Sequence, residues 1–276
     1  MINLLSEGFG RLKKNRLFYL GIVIMLGLGF FVIWAKNRDV TKYHMIVHAD
    51  DAMFTIFVYL QCAVSVFSAL FIGTQYSDGV IRNKIIAGHS RANVYLSNFM
   101  VTVSAAIIML FAFFAAYVPL ALAFFEPPVM SAAMLAKCFF LGIASVLSSC
   151  ALFTLISMLC SKKATSAVIC ILLFFAMLMS ITMIINRLEA PEYAGGYYMD
   201  SSGELAKSDP EPNPKYLRGF RRTFYEFMMD IIPAGQAIET VTPYYQSYFL
   251  IMAYAVIEAL AFSGVGIYIF SKKNIN

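Results

Sequence analysis

Two histidines and two aspartates lie close together early in the chain, and they are the residues whose types could hold a metal ion. His44 and His48 are four residues apart, and Asp50 and Asp51 follow after Ala49. On a helix this spacing places both imidazoles on one face, and nearby carboxylates would complete a set of zinc ligands. Because the segment need not be helical, we predict solvated loop residues here and no metal site.

Glu258 is the acid that lies in the middle of an apolar run. Ionisable groups inside a membrane are costly and are functional candidates by default. Two interpretations stay open: a hydrogen-bonded structural group that faces the helix bundle, or part of a transport pathway. A proton-coupled transporter normally uses a relay of several acids or histidines, and one glutamate makes a short relay.

Short motifs that mark common catalytic sites are absent from the sequence. It has no GxxxxGK[ST], HExxH, GxSxG or GxGxxG, and its five cysteines form no CxxC pair. The cysteines lie in or beside apolar runs, where a free thiol behaves as a small hydrophobic residue. We therefore expect no bound cofactor.

Composition sets the class of protein. Hydrophobic residues make up 60% of the 276 residues and charged residues 13%, and the mean hydropathy is +0.73. Soluble domains are roughly 45–50% apolar and about 25% charged. An ordinary soluble enzyme, a disordered chain and a disulfide scaffold are excluded. The apolar runs are long and continuous, so we predict an all-α polytopic membrane protein that forms one domain, residues 1–276.

Six apolar stretches are long enough to cross a bilayer, for which about 20 helical residues suffice. They are Leu17–Ala35, Ala52–Thr74, Val94–Phe125, Met134–Cys160, Ala164–Asn186 and Tyr248–Phe270. The third is longer than a crossing needs, and it could tilt or bend at Pro119. The first follows basic residues as a signal peptide does. Its apolar run is longer than that of a signal peptide, and the residues that follow are a poor cleavage site. We therefore predict a retained helix.

The lysines and arginines near the helix ends predict the orientation. If the N-terminus is cytoplasmic, 11 of them lie on the cytoplasmic side and 4 in or near the short outer loops. The other 6 lie in one long outer segment, and long segments report orientation poorly. We therefore expect a multi-pass protein of the cell membrane with both termini in the cytoplasm.

Two further segments have amphipathic patterns. Residues 1–16 carry an apolar stripe at helical spacing, which predicts an interfacial helix on the inner leaflet; a solvated extension of the first span is the alternative. The outer segment, residues 187–247, begins as a loop rich in proline and glycine. Its later part, Tyr216–Glu239, has phenylalanines at helical spacing until Pro233. It predicts a short helix in the outer headgroup region or dipping into the bilayer, or one packed on the outer rim.

The segment between the second and third spans, residues 75–93, combines isoleucines with basic residues. Ser77 or Asp78 could cap a short helix, and Gly88 could end it in a left-handed conformation. Its apolar residues are interleaved with Arg82, Asn83 and Lys84. A solvated connector needs no isoleucines, and a helix inside its own bundle would not carry these cations. The pattern indicates a helix wedged between two protein surfaces.

This segment resembles the coupling segment of ABC-2 type permeases, the membrane-spanning subunits of bacterial ABC transporters. The resemblance lies in Ser-Asp-Gly-Val-Ile-Arg-Asn-Lys at 77–84 and Gly-His-Ser-Arg at 88–91. It extends to the layout of an N-terminal interfacial helix, six spans and short outer helices before the last span. Ile-Pro-Ala-Gly-Gln at 232–236 is also similar to family sequences before the final span.

The resemblance implies a transporter subunit, an exporter, that is not an enzyme itself. A separate cytoplasmic ATPase would hydrolyse ATP, and a second permease subunit, identical or related, would complete the route. The implied interface with the ATPase comprises Asp78, Gly79, Ile81, Arg82, Asn83, Lys84, Gly88, His89 and Arg91. Arg82, Lys84 and Arg91 would contact acidic groups of the ATPase, or else serve as membrane-surface charges that hold the topology.

The substrate is not implied, and nucleic acid is not expected as a partner. Two other classes of function stay open. One is a secondary transporter or channel that works without ATP, and the other is a membrane protein with a signalling or scaffold role.

Overall fold

A computed structural model of the chain describes residues 1–195, 197–199, 205–207, 211–241 and 247–274. The helices, in chain order, are α1 (Ile2–Lys13), α2 (Arg16–Tyr43), α3 (Ile56–Ser77), α4 (Val80–Ile86), α5 (Arg91–Phe124), α6 (Ala132–Leu159), α7 (Lys163–Leu188), α8 (Phe220–Ile231), α9 (Pro233–Ile238) and α10 (Tyr248–Lys272). One 3₁₀ turn, Met53–Thr55, precedes α3.

Six of these helices are long and apolar enough to cross a membrane: α2, α3 with its 3₁₀ turn, α5, α6, α7 and α10. The prediction of an all-α polytopic protein with six spans is therefore confirmed. Helix α5 continues through Pro119 to Phe124. The largest difference in boundaries is at α2, which ends at Tyr43 although its apolar run ends near Ala35. Lysine and arginine are good helix formers, so the helix extends through Lys36, Arg38 and Lys42 beyond its apolar run until His44 ends it with a φ of 52°.

Helices α3 and α6 form the centre of the bundle. In the most apolar 18-residue stretch of each helix, 67% of the residues are buried in α3 and 61% in α6. The same fraction is 17% in α7 and 22% in α2. Helix α3 packs on α6 and α7, α10 packs on α6, and α2 packs on α5. Gly142 of α6 faces the ring of Phe57 so closely that a Cβ there would lie 2.1 Å from it. Small residues of this kind let membrane helices approach closely.

Hydrogen bonds between loops and helix ends define the two ends of the bundle. At one end, Lys273 Nζ donates to Tyr76 Oη and to the Met158 carbonyl, both at 3.1 Å, which brings together the ends of α3, α6 and α10. This end, which also carries α1 and α4, is called the α4 end. At the other, the α8 end, the backbone N–H of Ala49 donates to the Glu126 carbonyl at 3.0 Å. Both the first and the last helix of the chain thus reach the α4 end.

The long segment at the α8 end contains more regular structure than a loop. Two short antiparallel pairs are formed by β1 (Tyr193–Ala194) with β4 (Glu211–Pro212), and by β2 (Tyr197–Met199) with β3 (Leu205–Lys207). The prediction that the outer segment begins as a loop was therefore incomplete. Strands of two or three residues are too short to show an alternating pattern. Residues 196, 200–204, 208–210 and 242–246 of the predicted outer segment lie outside the described residues.

The later part of this segment forms two helices, α8 and α9, which meet at Ile232. Pro233 was predicted to break a helix, and it does end α8, but it also opens α9. Proline fits the first helical position because its missing N–H would have no helical partner there. Helix α8 buries Met229 and leaves Phe220 and Phe224 exposed, as an amphipathic helix does.

Candidate functional site

Helix α4 is a short helix with distinct signals at its two ends. Gly79 precedes it with a φ of 67°, and no side chain caps its first turn. The cap predicted at Ser77 or Asp78 is therefore wrong; the Ser77 hydroxyl instead donates to the Gly73 carbonyl at 3.2 Å. The predicted stop at Gly88 is confirmed by its φ of 84°. The backbone N–H of Gly88 donates to the Ile85 carbonyl at 3.0 Å and closes the last turn.

The inward face of α4 is anchored by Lys84, whose side chain is only 5% exposed. Its Nζ donates to Gln75 Oε1 at 3.2 Å and lies 3.5 Å from Glu7 Oε2. Gln75 Nε2 in turn donates to Asn98 Oδ1 at 2.7 Å. Burial lowers the pKa of Lys84, and the Glu7 carboxylate acts in the opposite direction. One network therefore joins α4 to α1, α3 and α5.

A second ion pair and an apolar contact support the same attachment. Arg11 Nη2 of α1 lies 3.5 Å from Asp78 Oδ2 at the start of α4. Ile81 is 1% exposed and belongs to the hydrophobic core. Between α1 and α4 a groove of about 320 Å³ remains, which Asn83 and His89 also line. Helix α4 is thus attached to the bundle on its inner side and open on the other.

The outward face of α4 is formed by Arg82, Asn83, Ile86 and Ala87, which are all exposed. Ile86 leaves 72% of its surface uncovered. An isolated exposed isoleucine is common on proteins. Here it lies next to a cation and an amide at helical spacing, on a helix whose other face is fixed. Ile86 and Ala87 were not among the predicted interface residues, although the interleaved isoleucines were the signal that could have included them.

Arg91 has a role that its position in the chain does not reveal. Its Nη1 donates to the Phe270 carbonyl at 3.1 Å and also to the Lys273 carbonyl. These carbonyls belong to the last turn of α10, where helical partners are missing and a positive charge is favourable. Lys273, at the same place, has a pKa that burial lowers. Arg91 therefore holds the start of α5 to the end of α10.

The nine predicted interface residues thus lie in three different environments. Arg82, Asn83 and Gly88 are exposed, and Gly79 and His89 are half-buried at the helix ends. Asp78, Ile81, Lys84 and Arg91 contact the chain's own groups, Asp78 as the exposed partner of Arg11. The exposed residues of α4 centre on Arg82 and Ile86, and the interface with an ATPase stays a prediction.

A second polar cluster surrounds Glu258, which is 8% exposed. The Ser148 hydroxyl donates to Glu258 Oε2 at 2.6 Å, and Gln236 Nε2 lies 3.2 Å from both carboxylate oxygens. Gln61 Nε2 donates to the Pro233 carbonyl at 2.8 Å. These bonds connect α9 to α3 and α10, and α10 to α6. Both interpretations of Glu258 stay open, because a buried and hydrogen-bonded carboxyl group suits each of them.

The histidine and aspartate segment connects two loops, and the prediction of solvated residues is wrong for Asp50, which is 6% exposed. The backbone N–H of His48 donates to Asp51 Oδ2 at 2.8 Å, and the ring Nδ1 of His48 lies 3.0 Å from the Pro127 carbonyl. Asp50 accepts from the backbone N–H groups of Val129 and Met130 at 3.1 and 2.8 Å. Among the described residues, no three His, Cys, Asp or Glu are arranged to hold a metal ion.

Fold and composition together place the chain among multi-pass helical membrane proteins. No protein-family model matches it, and no curated protein matches it either. The resemblance to ABC-2 permeases therefore stands on the residues of the 75–93 segment and on the order of the helices.

Proposed function

We propose that the chain is the membrane-spanning subunit of a bacterial ATP-binding cassette exporter of the ABC-2 type. A separate ATPase subunit binds to the outward face of α4 and supplies the energy. The observation that carries the proposal is the two-sided environment of α4. Lys84 is buried and bonded to Gln75 on one side, while Ile86 is 72% exposed on the other.

This two-sided environment suits a helix that transmits force. A helix that hung loosely from two spans would absorb a push by moving alone. Helix α4 is instead tied to α1 by Glu7 and Arg11, and to α3 and α5 through Gln75 and Asn98. Movement of an ATPase against Arg82 and Ile86 would therefore shift several helices as one body, which is how two packings of a transporter interconvert.

The same proposal sets the orientation and the assembly. The α4 end is cytoplasmic, with both termini, because that side then carries 11 lysines and arginines near helix ends. A second permease subunit completes the route, because six spans are too few to enclose a wide one. The exposed apolar faces of α2 and α7 face lipid or this second subunit.

Affinity purification from native membranes in mild detergent tests the proposal. The preparation should hydrolyse ATP and contain a protein with a phosphate-binding loop. Arg82→Glu with Ile86→Glu should reduce the amount of that protein at least tenfold, since losing one central hot-spot contact costs about 2 kcal/mol or more and about 1.4 kcal/mol already changes binding tenfold. The matched control is Ser161→Glu with Lys162→Glu, the same change of three charges at two exposed residues of the α4 end. A wild-type preparation without any ATPase, or an equal loss in the control, contradicts the proposal.

The second candidate function is a secondary transporter or channel that works without ATP. The observation in its favour is the burial of Glu258 in the middle of a membrane-spanning helix, beside Ser148 and Gln236. In vesicles with an imposed ion gradient, this function predicts that Glu258→Gln abolishes flux. Gradient-driven flux that survives this change counts against it, and ATP-dependent flux favours the first proposal.

A further inference from the structure

A groove of about 760 Å³ lies between α7 and α8 at the α8 end of the molecule. One wall is a face of α7 on which Ser180, Met183, Ile184 and Arg187 recur at helical spacing. The other wall includes Phe224 of α8, and Lys215 precedes this helix. The volume falls within the roughly 300–1,000 Å³ that small-ligand pockets commonly have.

The groove has an apolar part and a cationic part. Met183 and Phe224 are 64% and 48% exposed, so neither is covered by the described residues. Arg187 and Lys215 are exposed, and within the described residues neither side chain has a hydrogen bond or an ion pair. The neighbouring Arg222 differs, because it is paired with Glu226 at 3.0 Å. Among the described residues no carboxylate lines the groove, so its two cations are available to an anion.

The order of these groups along α7 matches the order of groups in a phospholipid. Arg187 lies in the last turn of a membrane-spanning helix, where the headgroups of a bilayer begin. Ser180 is seven residues earlier, which is about 10 Å deeper in the membrane. A molecule in the groove therefore meets cations at the surface and apolar side chains below them.

We propose that this groove binds an anionic phospholipid. The phosphate lies between Arg187 and Lys215, and one acyl chain follows Met183, Ile184 and Phe224. A basic residue near the surface attracts anionic lipid about fivefold over neutral lipid. This binding is independent of the proposed ATPase, because the groove lies at the end of the bundle opposite to α4.

Tryptophan fluorescence tests the proposal, because the chain has a single tryptophan, Trp34. The variant Trp34→Phe, Phe224→Trp places the only fluorophore in the groove. The full chain is reconstituted in vesicles that contain phosphatidylglycerol or phosphatidylcholine with brominated acyl chains, which quench tryptophan on contact. Phosphatidylglycerol should bind at least about fivefold more tightly, and excess inorganic phosphate should not displace it. Displacement by phosphate would show a site for the free ion and would overturn the lipid proposal.

In the charge variant Arg187→Gln, Lys215→Gln, the ratio of phosphatidylglycerol binding to phosphatidylcholine binding should fall close to one. The control Arg38→Gln, Lys42→Gln removes the same charge from the same end of the molecule, on α2, and should keep the preference. Each result is the ratio of phosphatidylglycerol binding to phosphatidylcholine binding in one variant. The comparison therefore does not require that the variants be equally stable. An unchanged ratio in the charge variant overturns the proposal. If neither brominated lipid quenches the tryptophan, protein covers the groove, and this result also overturns the proposal.

Discussion

The two ends of the bundle use different chemistry to attach their short helices. At the α4 end, Lys84 and Arg11 form ion pairs with Glu7 and Asp78, both of which are partly exposed. In the cluster that holds α9, on the α8 side of the bundle, the one carboxyl group is Glu258 in the middle of α10, and its partners are the neutral Ser148 and Gln236. The difference follows from depth in the membrane. Opposite charges can pair where water reaches them, whereas a lone carboxyl group among apolar helices depends on neutral hydrogen-bond donors.

This comparison indicates how each short helix responds to substitution. The Arg11–Asp78 pair near the surface contributes roughly 0–1 kcal/mol, and the buried Lys84 divides the attachment of α4 between polar contacts with α1 and α3. Helix α9 is held by close packing, because a Cβ on Gly235 would lie 2.1 Å from the Met229 carbonyl oxygen. We therefore expect substitutions at α9 to affect stability most and substitutions at α4 to affect coupling to a partner.

The largest effect is expected for Gly235→Ala. The added methyl group meets a backbone atom, which cannot rotate away as a side chain can, so α8 and α9 must separate. Overpacking of this kind costs about 3 kcal/mol, the upper part of its usual range. Thermal unfolding in detergent measures it. Gly27→Ala is the matched control, because a Cβ at Gly27 would meet no neighbouring atom within 4 Å. Equal melting temperatures of the two variants would contradict the close packing of α9.

The next effect is expected for Glu258→Leu, at about 2 kcal/mol. The change leaves the Ser148 hydroxyl and the Gln236 amide without their acceptor in an apolar surrounding. Glu258→Gln keeps an oxygen acceptor and the side-chain size, so it should lose less than half as much. Melting of both variants in the same detergent compares them. If leucine is tolerated as well as glutamine, the cluster does not hold α9.

The sequence predicted the six spans because long apolar runs have few alternative structures. For five of the six spans, both boundaries agree within a few residues. It predicted the stop at Gly88 because few residues other than glycine adopt its backbone conformation readily. It could not show that Lys84 faces the bundle, because the direction of a seven-residue helix depends on its neighbours. The contact of Arg91 with Phe270 joins residues 179 apart, and no local pattern reports it.

At the α4 end, Lys84→Met should cost about 1–2 kcal/mol near neutral pH, because Gln75 Oε1 loses its donor. The pH dependence sharpens the comparison. Burial lowers the pKa of Lys84 below its ordinary 10.5, so between the two values the unfolded chain binds more protons than the folded one. The advantage of wild type over Lys84→Met should therefore grow as the pH rises towards 10.5. A gap that stays constant, or shrinks, between pH 8 and about 10.5 would show that Lys84 is not desolvated.

The last expected effect, for Asp230→Asn in α8, is a gain of stability and not a loss. Burial, with a contribution from the nearby Glu226 carboxylate, raises the pKa of Asp230 from 3.8 to about 6. Between these values the folded chain holds a proton that the unfolded chain has lost, so the stability of wild type falls as the pH rises through this window. Asparagine cannot ionise, and the variant should therefore melt higher than wild type at neutral pH. Glu226→Gln removes the neighbouring negative charge, so the pH-dependent loss of stability should occur at a lower pH in this variant than in wild type. A variant that melts lower than wild type at neutral pH would mean that the Asp230 carboxylate is well solvated, and the α8 end would then resemble the α4 end more closely than its contacts indicate.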